Sequence, residues 1–174
     1  MTRMKLTAAI ILTLFAVAGC GYNQGSPAGG YSQSSLFRQD VKTVAVPIFV
    51  SKSFTRGVEF QLSKAITEQI ESTTPYKVVP AERADSVLEG QVVEVGLSTV
   101  SSDNRAAIPQ EQLYRVVVNF TWKDLRTGKI LVERRNFEQT STFYPTMGEG
   151  RFVGSQQATE SLARGIVQEL QADW

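Results

Sequence analysis

The chain has 174 residues, 42% of them hydrophobic and 20% charged, which is the length of one domain and excludes both a disordered chain and a polytopic membrane protein. Eighteen basic residues against seventeen acidic ones leave a net charge of +1, which excludes the overall basicity of a dedicated nucleic-acid binder. There is no histidine and a single cysteine, so the commonest general base, the commonest metal ligand, an internal disulfide and a thiolate metal cage are all removed.

The opening, MTRMKLTAAIILTLFAVAGC, has Arg3 and Lys5 ahead of an uncharged apolar stretch from Leu6 to Val17. As a helix that stretch is ~18 Å long, too short for a ~30 Å hydrocarbon core, and it reads as a secretory segment. Val17-Ala18-Gly19-Cys20 resembles the lipobox of bacterial lipoproteins. Residues 1–19 are therefore expected to be a signal peptide, and Cys20 to carry N-acyl and S-diacylglycerol lipid. Several acyl chains, at ~0.8 kcal/mol per buried methylene, hold such a protein on a membrane. Gly21, where retained lipoproteins carry Asp, favours the outer membrane by resemblance to lipoprotein sorting. Residues 20–40, rich in Gly, Ser and Gln, read as a flexible tether with a mean reach of ~25 Å, followed by one domain over 41–174.

Within that domain, Val41 to Val50 alternates Val44, Val46, Ile48 and Val50 on one face and predicts a strand, with an unpaired side or a bulge at Pro47. Thr55 to Thr73 carries Val58, Leu62, Ala65, Ile66 and Ile70 at helical spacing and ends before Pro75. Tyr76 to Val79 is a short strand, Ala81 to Asp85 one helical turn, and Ser86 to Val100 a long strand with Gly90 and Gly96 as bulge or twist points. Residues 101–110 form a loop. Gln112 to Lys123 puts Tyr114, Val116, Val118, Phe120 and Trp122 on one face and Arg115, Asn119, Thr121 and Lys123 on the other. A turn at 124–128 with Gly128 leads to a hairpin partner over 129–141. After a loop over 142–154, Ser155 is expected to cap a last helix through Leu170, with Ala158, Leu162 and Ile166 on its apolar stripe and Trp174 in phase. The order β-α-β-β-β-β-α predicts an α/β (α+β) two-layer sandwich, two helices on one face of a four- to five-stranded mixed sheet. The other face should meet water or a polar partner.

Chemistry is sparse. Gly148-Glu149-Gly150 lacks the flanking strand and helix of a phosphate loop. Ser63 and Lys64 are helix neighbours that point to different faces. Glu89 and Glu94, five apart on a strand, should face opposite sides. Asn119-Phe120-Thr121 matches a glycosylation sequon, but in mid-strand and behind a bacterial lipobox. No catalytic residue, metal site or cofactor other than the lipid on Cys20 is expected, and the chain reads as a non-enzyme. One asymmetry stands out. Residues 113–135 hold six basic residues, Arg115, Lys123, Arg126, Lys129, Arg134 and Arg135, against Asp124 and Glu133, whereas 56–111 hold five basic against nine acidic. A basic hairpin end could take phosphate groups of an anionic ligand, or simply discourage pairing at a sheet edge.

The lipobox with Gly21-Tyr22, the strand VKTVAVPIFV, the helix GVEFQLSKAITEQIE, Ala84-Asp85 before Leu88-Glu89-Gly90, and Trp122 to Gly128 as WKDLRTG together resemble the LptE family of lipopolysaccharide-assembly lipoproteins. The resemblance spans about residues 20–174. It implies two helices on a small sheet, an LptD-type outer-membrane β-barrel as partner that the lipoprotein plugs and helps assemble, and binding of lipopolysaccharide on its way to the cell surface. The family's basic contact residues do not align to a motif here, so the six hairpin residues are candidates from charge alone. A weaker resemblance runs to outer-membrane lipoproteins that activate cell-wall synthases and to secretion-channel lipoproteins. No nucleic-acid partner is expected.

Overall fold

The computed structural model describes residues 36–102 and 108–171. The signal peptide, Cys20, most of the tether and Trp174 lie outside them. The elements are β1 (Thr43–Ala45), β2 (Val50–Ser51), α1 (Val58–Thr73), β3 (Lys77–Val78), a 3-10 turn (Ala81–Arg83), β4 (Ser86–Ser102), β5 (Pro109–Asp124), β6 (Ile130–Phe143), a second 3-10 turn (Pro145–Met147) and α2 (Arg151–Gln168). The sheet runs β3-β1-β4-β5-β6, with β2 also on β4. β3, β1 and β2 pair in parallel and β4, β5 and β6 pair antiparallel, so the sheet is mixed and the fold is α+β.

The single first strand expected from alternation is two strands. Ala45 pairs with Val87 but Val50 with Gln91, so the chain fits one extra residue between them. Pro47 cannot donate to the ladder, and the backbone leaves β4 there. The excursion turns Phe49 inward to 2% exposure while Ile48 and Val50 face out. Phe49 N–H donates to Ser63 Oγ at 3.0 Å, and Ser63 donates to Glu59 O at 2.9 Å. The Phe49 ring rests on Gly90, where a Cβ would collide with ring carbon Cε2 and come within 2.7 Å of Asn119 O. Gly90 is therefore a close-approach position, not a bulge.

One β4 bulge lies between Val92 and Glu94, where the pairing shifts past Val93, and another falls between Thr99 and Ser101. The first restores the face parity that a five-residue spacing would break. Glu89 opposite Thr121 and Glu94 opposite Val117 both sit on the face away from the helices, which corrects their expected opposition. A bulge also falls on β6 opposite Asn119, with Asn136 at φ 53° and its N–H donating to Asn119 Oδ1 at 2.7 Å. Asn adopts this left-handed geometry more readily than most residues.

α1 buries Val58, Leu62, Ile66 and Ile70, as its spacing predicts, and α2 buries Ala158, Leu162, Ala163, Ile166 and Val167. α2 begins one turn earlier than expected, with Gly150 as its N-cap; Ser155 is inside the helix, 8% exposed, donating to Gln61 Oε1 at 3.3 Å. The helices run parallel. Gln61 meets Ser155 near their starts, and Gln69 and Thr73 lie beside Arg164 and Gln168 near their ends. Between helices and sheet, Trp122, Tyr114, Phe120, Leu88 and Val118 complete one core. Trp122 is fully buried and donates Nε1–H to Ser86 Oγ at 3.0 Å, and Ser86 donates onward to Thr43 O at 3.0 Å. Phe37, Arg38 and Asp40, within the stretch read as tether, contact this body. The Phe37 and Tyr76 rings meet edge-on at 5.7 Å, and Arg38 N–H donates to Tyr76 Oη at 2.9 Å.

Candidate functional site on the uncovered sheet face

The helices cover one face of the sheet. On the other, β4, β5 and β6 alternate outward Glu89, Gln91 and Glu94, then Arg115, Asn119, Thr121 and Lys123, then Glu133 and Glu138. A groove of about 480 Å³ crosses its middle. Pro47, Ile48 and Val50 form one wall and the 133–135 segment the other, above a floor of Gln91, Asn119 and Thr121.

The six basic residues of the hairpin do not form one patch. Arg115 lies on the open face between two carboxylates, 2.6 Å from Glu94 and 3.5 Å from Glu138. Arg134, opposite Phe120, is on the helix side and pairs with Glu169 of the α2 C-terminus at 2.5 Å. Arg135 returns onto Glu133 with two contacts of 2.8 and 3.0 Å. Arg126 sits in the β5–β6 turn, 3.6 Å from Asp124, with a donated bond of 2.6 Å to Asp40 O. Lys123 and Lys129 have no ion-pair partner among the described residues. The excess of positive charge along 113–135 is thus largely answered by Glu94, Glu138 and Glu169 from outside its core. Strand register brings Glu94 and Glu138 there, and the packing of α2 brings Glu169, so composition alone could not find them.

The turn end is rigidly held. Burial pushes the Asp124 carboxyl up, but the N–H groups of Arg126 at 2.7 Å and Thr127 at 3.2 Å outweigh it and hold the group below the usual carboxylate range. Asp85 is also held low, first by the Lys42 N–H and then by Thr43, whose N–H it accepts at 3.1 Å. Of the Ser63–Lys64 pair, Ser63 is buried under Phe49 while Lys64 points to Glu68 at 3.6 Å. Among the described residues no group of three or more Cys, Asp or Glu side chains could hold a metal, and no helix is long and apolar enough to cross a membrane. The open face offers amides, hydroxyls and satisfied ion pairs, which suit contact with a polar surface.

These features define a small α+β domain with one closed core and one exposed polar sheet face. A family model described as LptE, lipopolysaccharide-assembly, matches residues 41–173, and the chain belongs to that family. The family is one of non-catalytic lipoproteins that act in lipopolysaccharide assembly. No curated protein matches the chain in sequence. Among solved structures it is similar to a PelC dodecamer subunit from Paraburkholderia phytofirmans, at 18% identity and a TM-score of 0.54, covering 78% of this chain and 93% of that one. A hypothetical protein from Chlamydia trachomatis follows at 10% identity and a TM-score of 0.51, covering 73% and 94%. An uncharacterized lipoprotein B from Nitrosomonas europaea has 14% identity and a TM-score of 0.50, covering 76% and 83%. At such identities the likeness is one of fold.

Proposed function

We propose that this chain is an outer-membrane lipoprotein, anchored through lipid on Cys20, that plugs and assists assembly of an LptD-type β-barrel and helps deliver lipopolysaccharide to the cell surface. Membership of the lipopolysaccharide-assembly family over residues 41–173 is the observation that carries the reading. The open face supports it physically: barrel lumens are polar, and a plug needs a polar outside around a self-contained core. For lipopolysaccharide itself, the reading favours Lys123, Arg126 and Lys129 at the β5–β6 turn over Arg115, Arg134 and Arg135. The latter three are each held by a carboxylate within 2.8 Å, and a partner phosphate would have to displace it.

The test is saturable binding of lipopolysaccharide to the purified protein. Lys123→Glu with Lys129→Glu is expected to weaken binding, and more than Arg134→Glu with Arg135→Glu does. Equal affinity of the wild-type protein and the Lys123/Lys129 double reversal would remove the turn from the account.

A further inference from the structure

The parallel helices bring both of their N-termini to one end of the molecule, the end away from the β5–β6 turn. A cavity of about 220 Å³ opens there, lined by Thr55, Arg56 and Gln61 from the α1 side, Arg151 and Phe152 from α2, and Tyr114 from the sheet below. The two arginines have no ion-pair partner among the described residues, and no carboxylate lines the cavity. Glu59 accepts the N–H of Gly57 at 3.0 Å, so its carboxylate occupies the α1 N-terminus beside the cavity and leaves the α2 end as the open one, while Glu149 is held by Tyr144 N–H at 2.7 Å. α2 has neither a side-chain cap nor an acidic residue in its first turn, so its end N–H groups and dipole add to the positive field.

Tyr114 supplies the independent observation. It is 1% exposed, yet its hydroxyl has no hydrogen-bond partner among the described residues. It is not sealed either, since no buried side-chain polar atom lacks a partner. What remains exposed of it is therefore its hydroxyl, facing the cavity it lines. A phenol placed in a core and left without a protein partner is unusual, because buried tyrosine hydroxyls are normally satisfied. Here it supplies a donor at the floor of a doubly cationic pocket.

From this arrangement we infer that the cavity between the two helix N-termini is a binding site for a phosphate-type oxyanion, held by Arg56, Arg151 and the Tyr114 hydroxyl. Arginine forks suit tetrahedral oxyanions, and helix N-termini favour them. The volume exceeds that of a lone phosphate. Phe152, 65% exposed at the rim, gives an apolar wall for whatever the phosphate is attached to. The site stands apart from the turn basics. Tyr114 and Lys123 are nine positions apart on β5, about 30 Å of strand. It does not depend on the barrel reading.

The experiment titrates the full chain in non-ionic detergent, at physiological ionic strength, with two probes: inorganic phosphate and monomeric dihexanoyl phosphatidic acid. Calorimetry reads the affinity. Arg56→Gln with Arg151→Gln is expected to weaken binding by about tenfold or more, and Tyr114→Phe by about three- to tenfold, the range of one to two lost charge-assisted bonds. Arg83→Gln, in the 3-10 turn at the far end of the molecule, should leave it unchanged. An unaltered thermal unfolding midpoint in each variant separates lost binding from lost fold. Tighter binding of phosphatidic acid than of phosphate identifies a lipid-borne group as the natural source, and equal binding identifies the phosphate alone; both uphold the site. Absence of binding of either probe up to about 10 mM, a concentration well above a millimolar dissociation constant, overturns it. So does binding that neither the arginine nor the tyrosine variant alters.

Discussion

At the residue scale, the positions that give the family resemblance its character have identifiable physical jobs. Ser86 accepts the indole N–H of Trp122 and passes a bond to the β1 backbone. Ser86→Ala leaves a fully buried indole donor without its acceptor, and the expected loss is about 1–3 kcal/mol in denaturant titration. Gly90 admits the Phe49 ring. A Cβ there forces the ring and the β5 backbone apart, so Gly90→Ala should lower stability by about 1–3 kcal/mol, measured the same way. Asp85 and Asp124 both have depressed folded-state pKa values. Their contribution is fully present above the unfolded carboxylate value of about 3.9 and is lost as pH falls through the lower folded values. Acid titration of stability should therefore show a steep fall below about pH 4. Asp85→Asn should flatten that fall and lower stability at neutral pH. An unchanged acid limb in this variant would contradict the assignment.

At the element scale, periodicity exposed the two helices, the long strands β4, β5 and β6 with the β5–β6 hairpin, and most of the core, while the pairing of β4 with β5 comes from the structure. Tyr114, Val116, Val118, Phe120 and Trp122 alternate in the sequence and are all buried. Alternation failed where a single residue changes the parity. The sequence around Pro47 shows Val44, Val46, Ile48 and Val50 in step, but the extra residue in that segment sends Phe49 inward. Pro47 marked the break; which side chain it would invert depends on Gly90 offering room, a tertiary fact. Likewise Val93 is extra in β4, and the faces of Glu89 and Glu94 follow from it. Deleting Val93 should leave Glu94 opposite Val117 and keep the fold. Deleting Val95 removes a residue whose neighbours then slip across faces. The Val95 deletion should have the lower thermal midpoint. Ser155 has a good capping side chain, yet α2 starts earlier, where Gly150 ends the preceding loop in extended backbone and caps the helix with no side-chain bond.

At the scale of the whole molecule, charge is distributed by pairing. The hairpin's positive stretch meets acids from β4, β6 and the end of α2, so its net field is much weaker than its composition suggests. What composition hid was the other end, where Arg56 and Arg151 are 95 positions apart in the chain and meet only because α1 and α2 are parallel. The candidate hairpin residues were legible one by one, but the partners of Arg115 need strand register and that of Arg134 needs α2 packed on β6, whereas Arg126 and Arg135 pair with acids two positions away. The open sheet face was legible from the polar half of β5. It presents Arg115 paired with Glu94 and Glu138, polar side chains and a shallow groove. Surface ion pairs of this kind contribute little to stability. Arg115→Ala is accordingly expected to change the unfolding free energy by less than about 1 kcal/mol, while leaving Glu94 and Glu138 uncompensated toward a partner.

The central claim is that this domain works inside another protein. Affinity purification of the tagged full chain from detergent-solubilised membranes tests it most directly. The account predicts that one large outer-membrane β-barrel is retained in near-equal amount and resists a high-salt wash. Recovery of the chain free of any barrel, under conditions that keep the envelope's other complexes intact, would contradict it.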